Sequence, residues 1–563
     1  MCDHIDVNGV PTAAVQPPKT IVEAIYARVL DAPAAPFCWF REDGTFRAVT
    51  NAQFLESSEG YAQTFESLEL SSGDVVIIIG RQAPWLTYAF TGAMFIGAIP
   101  AILPHPSAKQ DPHYFWRDCK TLLDRIQAKA VVVGDEFLPD MQSQLRGATF
   151  QLVSPRTVRF SAAQWRPRVQ EPKDIAFLQH SSGTTGLKKG VMLSHESVLA
   201  QVRSYSAAIG FRHDDIVASW LPLYHDMGLL AAFMAPLLNR AAMVWLDPFE
   251  WVGKPHLLLE AIERFSATFI WLPNFAFQHL AATAPKSRSW RLDSVRAFIS
   301  CSEPTKAKSL DAFAHRFIHD GVSPDKIQVC YALAENVFAA TQTPLNGVPR
   351  RLALDDSRRS VETSLRTETT ANKIVISCGS PIDGVDISIV DEDDNPVANG
   401  VIGEIRLRST FMFSGYNRQS DLTAAKLKDG WYYTGDLGLL DKGEVFVTGR
   451  KDDLLIVYGR NYYAHDIEEI VSEFDGIIPG RVVAFGLEDV QLGTQRGVVV
   501  AEVRTEAATA NLAKEVRVGV ERRLGLSIAD VLLVKRGWLA KTTSGKISRH
   551  QNREKFLKTR LET

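Results

Sequence analysis

Short runs of successive apolar, often β-branched residues punctuate this chain. Between them lie stretches whose apolar positions return every three or four residues. Val75-Val76-Ile77-Ile78-Ile79, flanked by Asp74 and Gly80, is one such run, and 130–134, 242–246 and 373–376 repeat it. A run apolar at consecutive positions predicts a strand covered on both faces, as in a parallel sheet. The stretches 257–265 and 308–317 have helical spacing, so strand and helix alternate and predict α/β layers. The most apolar stretch, 88–104, is interrupted by Gly92, Gly97 and Pro100. It is shorter than the ~20 residues a bilayer needs, and predicts a buried helix leading into a strand rather than a membrane span.

Two polar segments divide the chain. The stretch 345–370 is rich in Arg, Ser, Thr and Asp without a period, and predicts an irregular insertion. Thr448-Gly449-Arg450-Lys451-Asp452-Asp453 is a polar joint, followed by roughly a hundred residues with their own apolar runs at 497–503 and 531–534. The expected architecture is α/β. A large multi-subdomain N-terminal domain over 1–450 has parallel-rich sheets flanked by helices, and a small mobile α+β C-terminal domain over 451–563 follows a hinge.

Composition narrows the function classes. At 563 residues the chain exceeds one core, and 46% hydrophobic with 23% charged residues is an ordinary globular balance. A formal net charge of -3 lacks the basic excess of nucleic-acid binders, so no nucleic acid is expected as partner. Cys2, Cys38, Cys119, Cys301, Cys330 and Cys378 are scattered without paired zinc spacing. They suit buried thiols in a reducing cytoplasm. The start, Met1-Cys2-Asp3-His4-Ile5-Asp6, lacks the basic-then-apolar run of a secretory signal.

Four segments carry candidate chemistry. Ser181-Ser182-Gly183-Thr184-Thr185-Gly186-Leu187-Lys188-Lys189-Gly190 combines small residues, which let backbone approach a phosphate, with lysines that neutralise it. It lacks the spacing of the common phosphate loop, and taken singly also reads as a flexible surface loop. In Tyr331-Ala332-Leu333-Ala334-Glu335 an exposed Tyr can stack on adenine and a carboxylate can hold a divalent cation. Singly, it also reads as a helical turn with a core Tyr. Trp431-Tyr432-Tyr433-Thr434-Gly435-Asp436-Leu437-Gly438 holds an Asp in a glycine-flanked turn, where a carboxylate can accept both ribose hydroxyls. Lys541-Thr542-Thr543-Ser544-Gly545-Lys546-Ile547-Ser548-Arg549 offers a lysine that can neutralise charge on a phosphate.

With Gly449-Arg450-Lys451-Asp452, these segments occur in one order along one chain, and that order resembles the adenylate-forming enzymes from about residue 20 to 550. Leu221-Pro222-Leu223-Tyr224-His225-Asp226-Met227-Gly228-Leu229, Leu272-Pro273-Asn274-Phe275-Ala276-Phe277, Ala101-Ile102-Leu103-Pro104-His105-Pro106, Ser377-Cys378-Gly379 and the segment 454–468 resemble the fatty acyl-AMP ligases within that superfamily. The resemblance implies activation of a fatty or related carboxylic acid by ATP as acyl-AMP, with Mg2+. Ser182, Gly183, Thr184, Thr185, Gly186 and Lys189 would wrap the phosphates, Thr184 also counting among the catalytic groups. Ser302, Glu303 and Pro304 would flank adenine, with Tyr331, Ala332, Leu333 and Ala334 opposite. Glu335, with Thr185, would ligate Mg2+; Asp436 would hold the ribose, and Arg450 would reach ribose or phosphate. Lys546 would sit on the carboxylate and α-phosphate, His225 would gate the acyl tunnel, Asn274, Phe275 and Phe277 would line it, and Asp452 would be the hinge.

Some positions depart from the family pattern. Lys188 stands where Pro is usual, His180 where Tyr is commoner, Ala332 where Gly is frequent, and Cys301-Ser302 where Gly-Ala precedes Glu303-Pro304. None removes a charged group. A protein of this fold without turnover would lack Lys546 or Glu335, and both are present. The ligase reading implies acyl transfer to the phosphopantetheine thiol of an acyl carrier protein, and the insertion at 345–370 is associated in the family with suppressing coenzyme A. An acyl-CoA synthetase shares the first half-reaction and is the alternative. Only 17 residues follow Lys546, so the carrier is expected in trans.

Overall fold

The computed structural model describes residues 17–106, 112–145, 149–158, 165–181, 189–354, 373–457, 460–489, 494–504, 509–541 and 546–561. Its largest sheet sets Pro36–Glu42, Ala242–Trp245, Ile216–Ser219, Phe269–Leu272, Ala297–Ser300 and Ile327–Ala332 side by side, all parallel. Antiparallel strands close it: Thr45–Thr50 at one edge, Ala339–Gln342 and Ser380–Pro381 at the other. Every residue of Phe269–Leu272 and Ala297–Ser300 is buried, as expected of runs without polar alternation. A second parallel sheet orders Ile99–Leu103, Val75–Ile79, Ala128–Val133 and Gln151–Val153. The buried helix Pro84–Phe95 leads into Ile99–Leu103, as the 88–104 stretch predicts. A third, antiparallel sheet contains Val385–Val390, Gly403–Ser409, Trp431–Asp441 and Glu444–Arg450.

Beyond residue 454 the strands Ile477–Asp489, Thr494–Val503 and Ile528–Val534 form a separate sheet. Helices Ala464–Ser472, Thr509–Leu524 and Arg549–Leu561 accompany it. One apolar cluster gathers Leu455, Ile467, Val499 and Val516; another gathers Val483, Phe485, Val498 and Phe556. All buried members of both lie within 455–556.

The structure corrects several local readings. Thr448, Gly449 and Arg450 end the strand Glu444–Arg450 rather than forming a loop, and only Lys451–Asp453 turns, as a 3-10 segment. Within the expected insertion, Arg351–Leu354 is a strand paired antiparallel with Lys373–Ile376. Leu352 and Leu354 point inward with Val375, Leu439 and Phe446, a period-two signal masked by the polar residues around it. Residues 355–370 of that insertion lie outside the described residues. Cys38, Cys119, Cys301, Cys330 and Cys378 are buried and form no disulfide. No described helix is long and apolar enough to cross a membrane.

One buried histidine ties the first described helix to the body. Ile21 N donates to Nδ1 of His195, which begins helix His195–Ala208. Burial lowers the His195 pKa to about 4, although Asp174 and Glu23 pull it upward. The unfolded chain therefore takes up this proton first, at its ordinary value near 6.5. Stability present above that pH is lost as pH falls from about 6.5 toward 4, in total about 3 kcal/mol. Denaturant unfolding across this window should show the loss, and His195→Gln should flatten it.

Candidate active site

A parallel sheet opens a crevice beyond the carboxyl ends of its strands. Phe269–Leu272 delivers Asn274 and Phe275 there, Ala297–Ser300 delivers Ser302, and Ile327–Ala332 carries Tyr331 as its last residue but one. These neighbours in the sheet are far apart in sequence.

Tyr331 is not the exposed ring expected. It is 9% exposed, and its hydroxyl donates to Asp436 Oδ2 at 2.6 Å. Arg450 Nε donates to Asp436 Oδ1 at 2.9 Å. Asp436 itself sits within strand Trp431–Asp441, not in a turn. The strand bends where Gly435 takes φ +76, a left-handed conformation glycine adopts without strain. Gly435 N donates to Glu404 Oε1 and Asp436 N to Thr434 Oγ1, which fixes the bend. A carboxylate has about four acceptor positions, so two remain for a further pair of hydroxyls.

Glu335 is 8% exposed and lies in a 3-10 turn, Ala334–Asn336, that follows Tyr331, Ala332 and Leu333. That turn replaces the helical reading. Tyr416 Oη donates to Glu335 Oε1 at 2.7 Å, and Tyr432 Oη lies 3.2 Å from Tyr416 Oη. Buried Val337, two residues on, holds φ +61, a rare state for a β-branched residue. Asn336 fixes this turn: its Nδ2 donates to Ala339 O, and its Oδ1 accepts from Ser409 Oγ.

Lys189, half-buried at the start of strand Lys189–Ser194, places its ammonium 5.5 Å from the Tyr416 ring centroid. Burial lowers its pKa, Glu335 and Asp452 raise it, and Lys426 and Arg450 lower it further. Ser182, Gly183, Thr184, Thr185 and Gly186 lie outside the described residues.

Lys546 Nζ donates to the carbonyl oxygen of Ser302 at 2.6 Å, across 244 residues of sequence. Ser302 holds φ +69, another left-handed non-glycine position. Beside it, His225 Nδ1 lies 2.6 Å from Asp226 Oδ1. Burial raises the Asp226 carboxyl, but His225, the Met227 N–H and Lys546 hold it below the usual carboxylate range. After this pair the chain winds into a wide π-helical segment, Met227–Met234. Gly228 is required there, because a Cβ would fall 2.2 Å from the Pro222 carbonyl oxygen.

The remaining expected residues separate. Glu303 accepts the Phe275 N–H, and Pro304 is exposed. Asn274 Oδ1 accepts the Lys306 N–H and steadies the approach to helix Ala307–Phe317. Phe275 is exposed, edge-on to stacked Trp220 and Trp251. Phe277, by contrast, is wholly buried against Phe313, a core position. Exposed Asp452 occupies the 3-10 turn Lys451–Asp453. Its neighbour Asp453 pairs with Arg549 at 2.5 Å, and Arg549 also reaches Glu468 at 2.6 Å. Arg549 thereby joins that turn to the segment bearing Lys546. Sequence reasoning gave no role to Tyr416, Tyr432, Asp226 or Arg549; Asp226, Tyr432 and Arg549 lay inside quoted motifs, and Tyr416 left no signal.

Aromatic, carboxylate and lysine groups from distant segments thus meet beyond the carboxyl ends of a parallel sheet. The AMP-binding enzyme family matches residues 23–417, and the chain belongs to that family. The chain is 30% identical over 521 residues to 4-hydroxyphenylalkanoate adenylyltransferase of Mycobacterium bovis, covering 86% of this chain and 83% of that protein. It is 30% identical over 516 residues to medium-chain-fatty-acid–[acyl-carrier-protein] ligase JamA of Moorena producens, covering 84% of each. Its fold is similar to a solved structure from structural and functional studies of fatty acyl-adenylate ligases from E. coli and L. pneumophila. There the TM-score is 0.88 at 24% identity, covering 97% of this chain and 99% of that one.

Proposed function

We propose that this enzyme is a fatty acyl-AMP ligase, which activates a fatty or related carboxylic acid with ATP and transfers the acyl group to an acyl carrier protein. The observation that carries this reading is Lys546, held 2.6 Å from the Ser302 carbonyl at the carboxyl end of the sheet that also bears Tyr331, whose hydroxyl meets Asp436. The names of its relatives support both half-reactions: one is an adenylyltransferase, the other a carrier-protein ligase.

In the first half-reaction a carboxylate oxygen attacks the α-phosphorus of ATP. The bond from that phosphorus to the bridging oxygen breaks, and its electron pair leaves with pyrophosphate. No general base is needed, since a carboxylic acid is already ionised near neutral pH. Positioning and charge neutralisation remain. Lys546 neutralises charge between carboxylate and α-phosphate. Asp436, steadied by Tyr331 and Arg450, accepts the ribose hydroxyls; Ser302, Glu303 and Pro304 flank adenine opposite Ala332, Leu333 and Ala334. Lys189 follows the phosphates with Ser182, Gly183, Thr184, Thr185 and Gly186. His225 stands between the nucleotide and the acyl group, beside Asn274 and Phe275.

Glu335, with Thr185, would hold Mg2+. An oxygen-only donor fits this ion, which ordinarily takes one or two carboxylates plus substrate phosphates rather than a protein cage. Bound there, the ion would neutralise phosphate charge. In the second half-reaction the carrier's thiol sulfur attacks the acyl carbonyl, the bond to AMP breaks, and the thiol proton goes to solvent. Residues 451–563 form a small domain that turns about Asp452 between the steps. Their self-contained apolar clusters support this, and the Lys306–Glu469 pair, which with the Lys546–Ser302 hydrogen bond meets the large sheet, is an exposed contact of 3.2 Å, weak enough to separate. Five buried cysteines outside any disulfide support a cytoplasmic location.

Incubation with ATP, Mg2+, mixed acids and either coenzyme A or a phosphopantetheinylated carrier tests the acceptor. Acyl-carrier is the expected product. Rapid accumulation of acyl-CoA would make the enzyme an acyl-CoA synthetase instead.

A further inference from the structure

We infer that Tyr416 is a positioning residue of this site, setting the Glu335 carboxylate and the Lys189 ammonium at a fixed spacing across the path of the phosphates. The inference rests on the reading of Glu335 as the Mg2+ ligand and Lys189 as a phosphate ligand.

Tyr416 is 2% exposed and meets both groups with different parts of its side chain. The hydroxyl donates to Glu335 Oε1 at 2.7 Å; the ring face lies under Lys189 Nζ at 5.5 Å, within cation–π range. A phenol hydroxyl is an O–H donor near neutral pH. It takes one acceptor position of Glu335 and leaves the others to a cation.

The support around Tyr416 is continuous. Gly415 O accepts from Met192 N, and Asn417 N donates to Gly190 O, so residues 415–417 are laced to strand Lys189–Ser194. Phe413 N donates to the Glu335 carbonyl at 2.9 Å. The Phe413 ring packs edge-on against both Tyr416 and Tyr432. Tyr432 extends the hydroxyl chain to strand Trp431–Asp441, four residues before Asp436. One aromatic side chain therefore couples the exit of the phosphate-binding segment, the carboxylate turn and the ribose-side strand. A merely structural tyrosine would satisfy Glu335 without touching the lysine.

Calorimetric titration with ATP, once with Mg2+ and once with EDTA, separates the roles. Tyr416→Phe keeps the ring and loses the hydroxyl. It should weaken Mg2+ binding to the ATP complex about 10-fold, the usual scale for an outer-shell partner, with metal-free ATP affinity unchanged. Tyr416→Leu should in addition weaken metal-free ATP binding by roughly 2–5-fold through loss of the cation–π contact. Should Tyr416→Phe not fold, Tyr432→Phe tests the same hydroxyl chain, with a smaller loss in the same direction expected. Unchanged Mg2+ dependence in these variants, or equal loss with and without Mg2+, overturns the inference. Glu335→Gln distinguishes the two layers: if it also leaves Mg2+ dependence intact, the reading of Glu335 fails and this inference with it. If Glu335→Gln abolishes the dependence while Tyr416→Phe does not, only the role of Tyr416 fails.

Discussion

Lys546→Ala lowers the rate of adenylate formation about 10²-fold or more, the usual loss for one well-placed electrostatic stabiliser. It leaves transfer from preformed acyl-AMP near the wild-type rate. The asymmetry follows from the chemistry. Negative charge gathers on carboxylate and α-phosphate only in the first step, and Lys546 is the cation delivered to the carboxyl end of the sheet at Ser302. In the second step the thiol attacks a carbonyl already activated as an anhydride. Quenched-flow release of pyrophosphate, set beside acyl transfer from synthetic acyl-AMP, reads the two rates separately. Equal loss in both would mean that Lys546 shapes the domain instead of the reaction. The side chain is only half-buried, and its described hydrogen bond goes to a backbone carbonyl, so thermal stability should change little.

Asp436→Ala weakens ATP binding roughly 10- to 100-fold, corresponding to about 1.5–3 kcal/mol for hydrogen bonds to a charged group. Stability falls as well. The substitution strands the buried Tyr331 hydroxyl, whose acceptor is Asp436, at a cost of about 1–3 kcal/mol. Arg450 loses the same partner but is more than half exposed, and water replaces the carboxylate there. Adding Tyr331→Phe to Asp436→Ala should recover part of the stability, since neither partner is then left unpaired, and should not recover nucleotide affinity. Calorimetry and thermal unfolding of the two variants check both halves. Wild-type ATP affinity in Asp436→Ala would remove this carboxylate from the site.

The candidate binding and neutralising groups were legible because each sits in a short motif with recognisable spacing. Tyr331, Glu335, Asp436, Arg450 and Lys546 are all of this kind, and the structure brings Tyr331 together with Asp436 and Arg450, and Lys546 with Ser302. Their local conformations were less legible. Gly435 and Gly449 read as turn markers, yet each lies within a strand, one supplying a left-handed bend and the other packed against Tyr463. Tyr331 read as exposed because nothing local announces that Asp436, 105 residues away, will bury its hydroxyl. Tyr416 could not be singled out at all, and Tyr432, though inside a quoted motif, drew no role of its own. Buried tyrosines are ordinary core residues, and only the pairing of residues 415–417 with Lys189–Ser194 shows which carboxylate Tyr416 meets. Phe277 illustrates the opposite error: its motif drew it toward the site, whereas helix packing against Phe313 keeps it in the core.

The central claim is that a carboxylate oxygen of the substrate becomes bonded to the α-phosphorus of ATP. Turnover of acids labelled with 18O in the carboxylate, followed by mass spectrometry of the AMP released after acyl transfer, tests it most directly. One 18O atom per AMP, with pyrophosphate released in equal amount, is the predicted result. Unlabelled AMP, or ADP and inorganic phosphate in place of AMP and pyrophosphate, would contradict it.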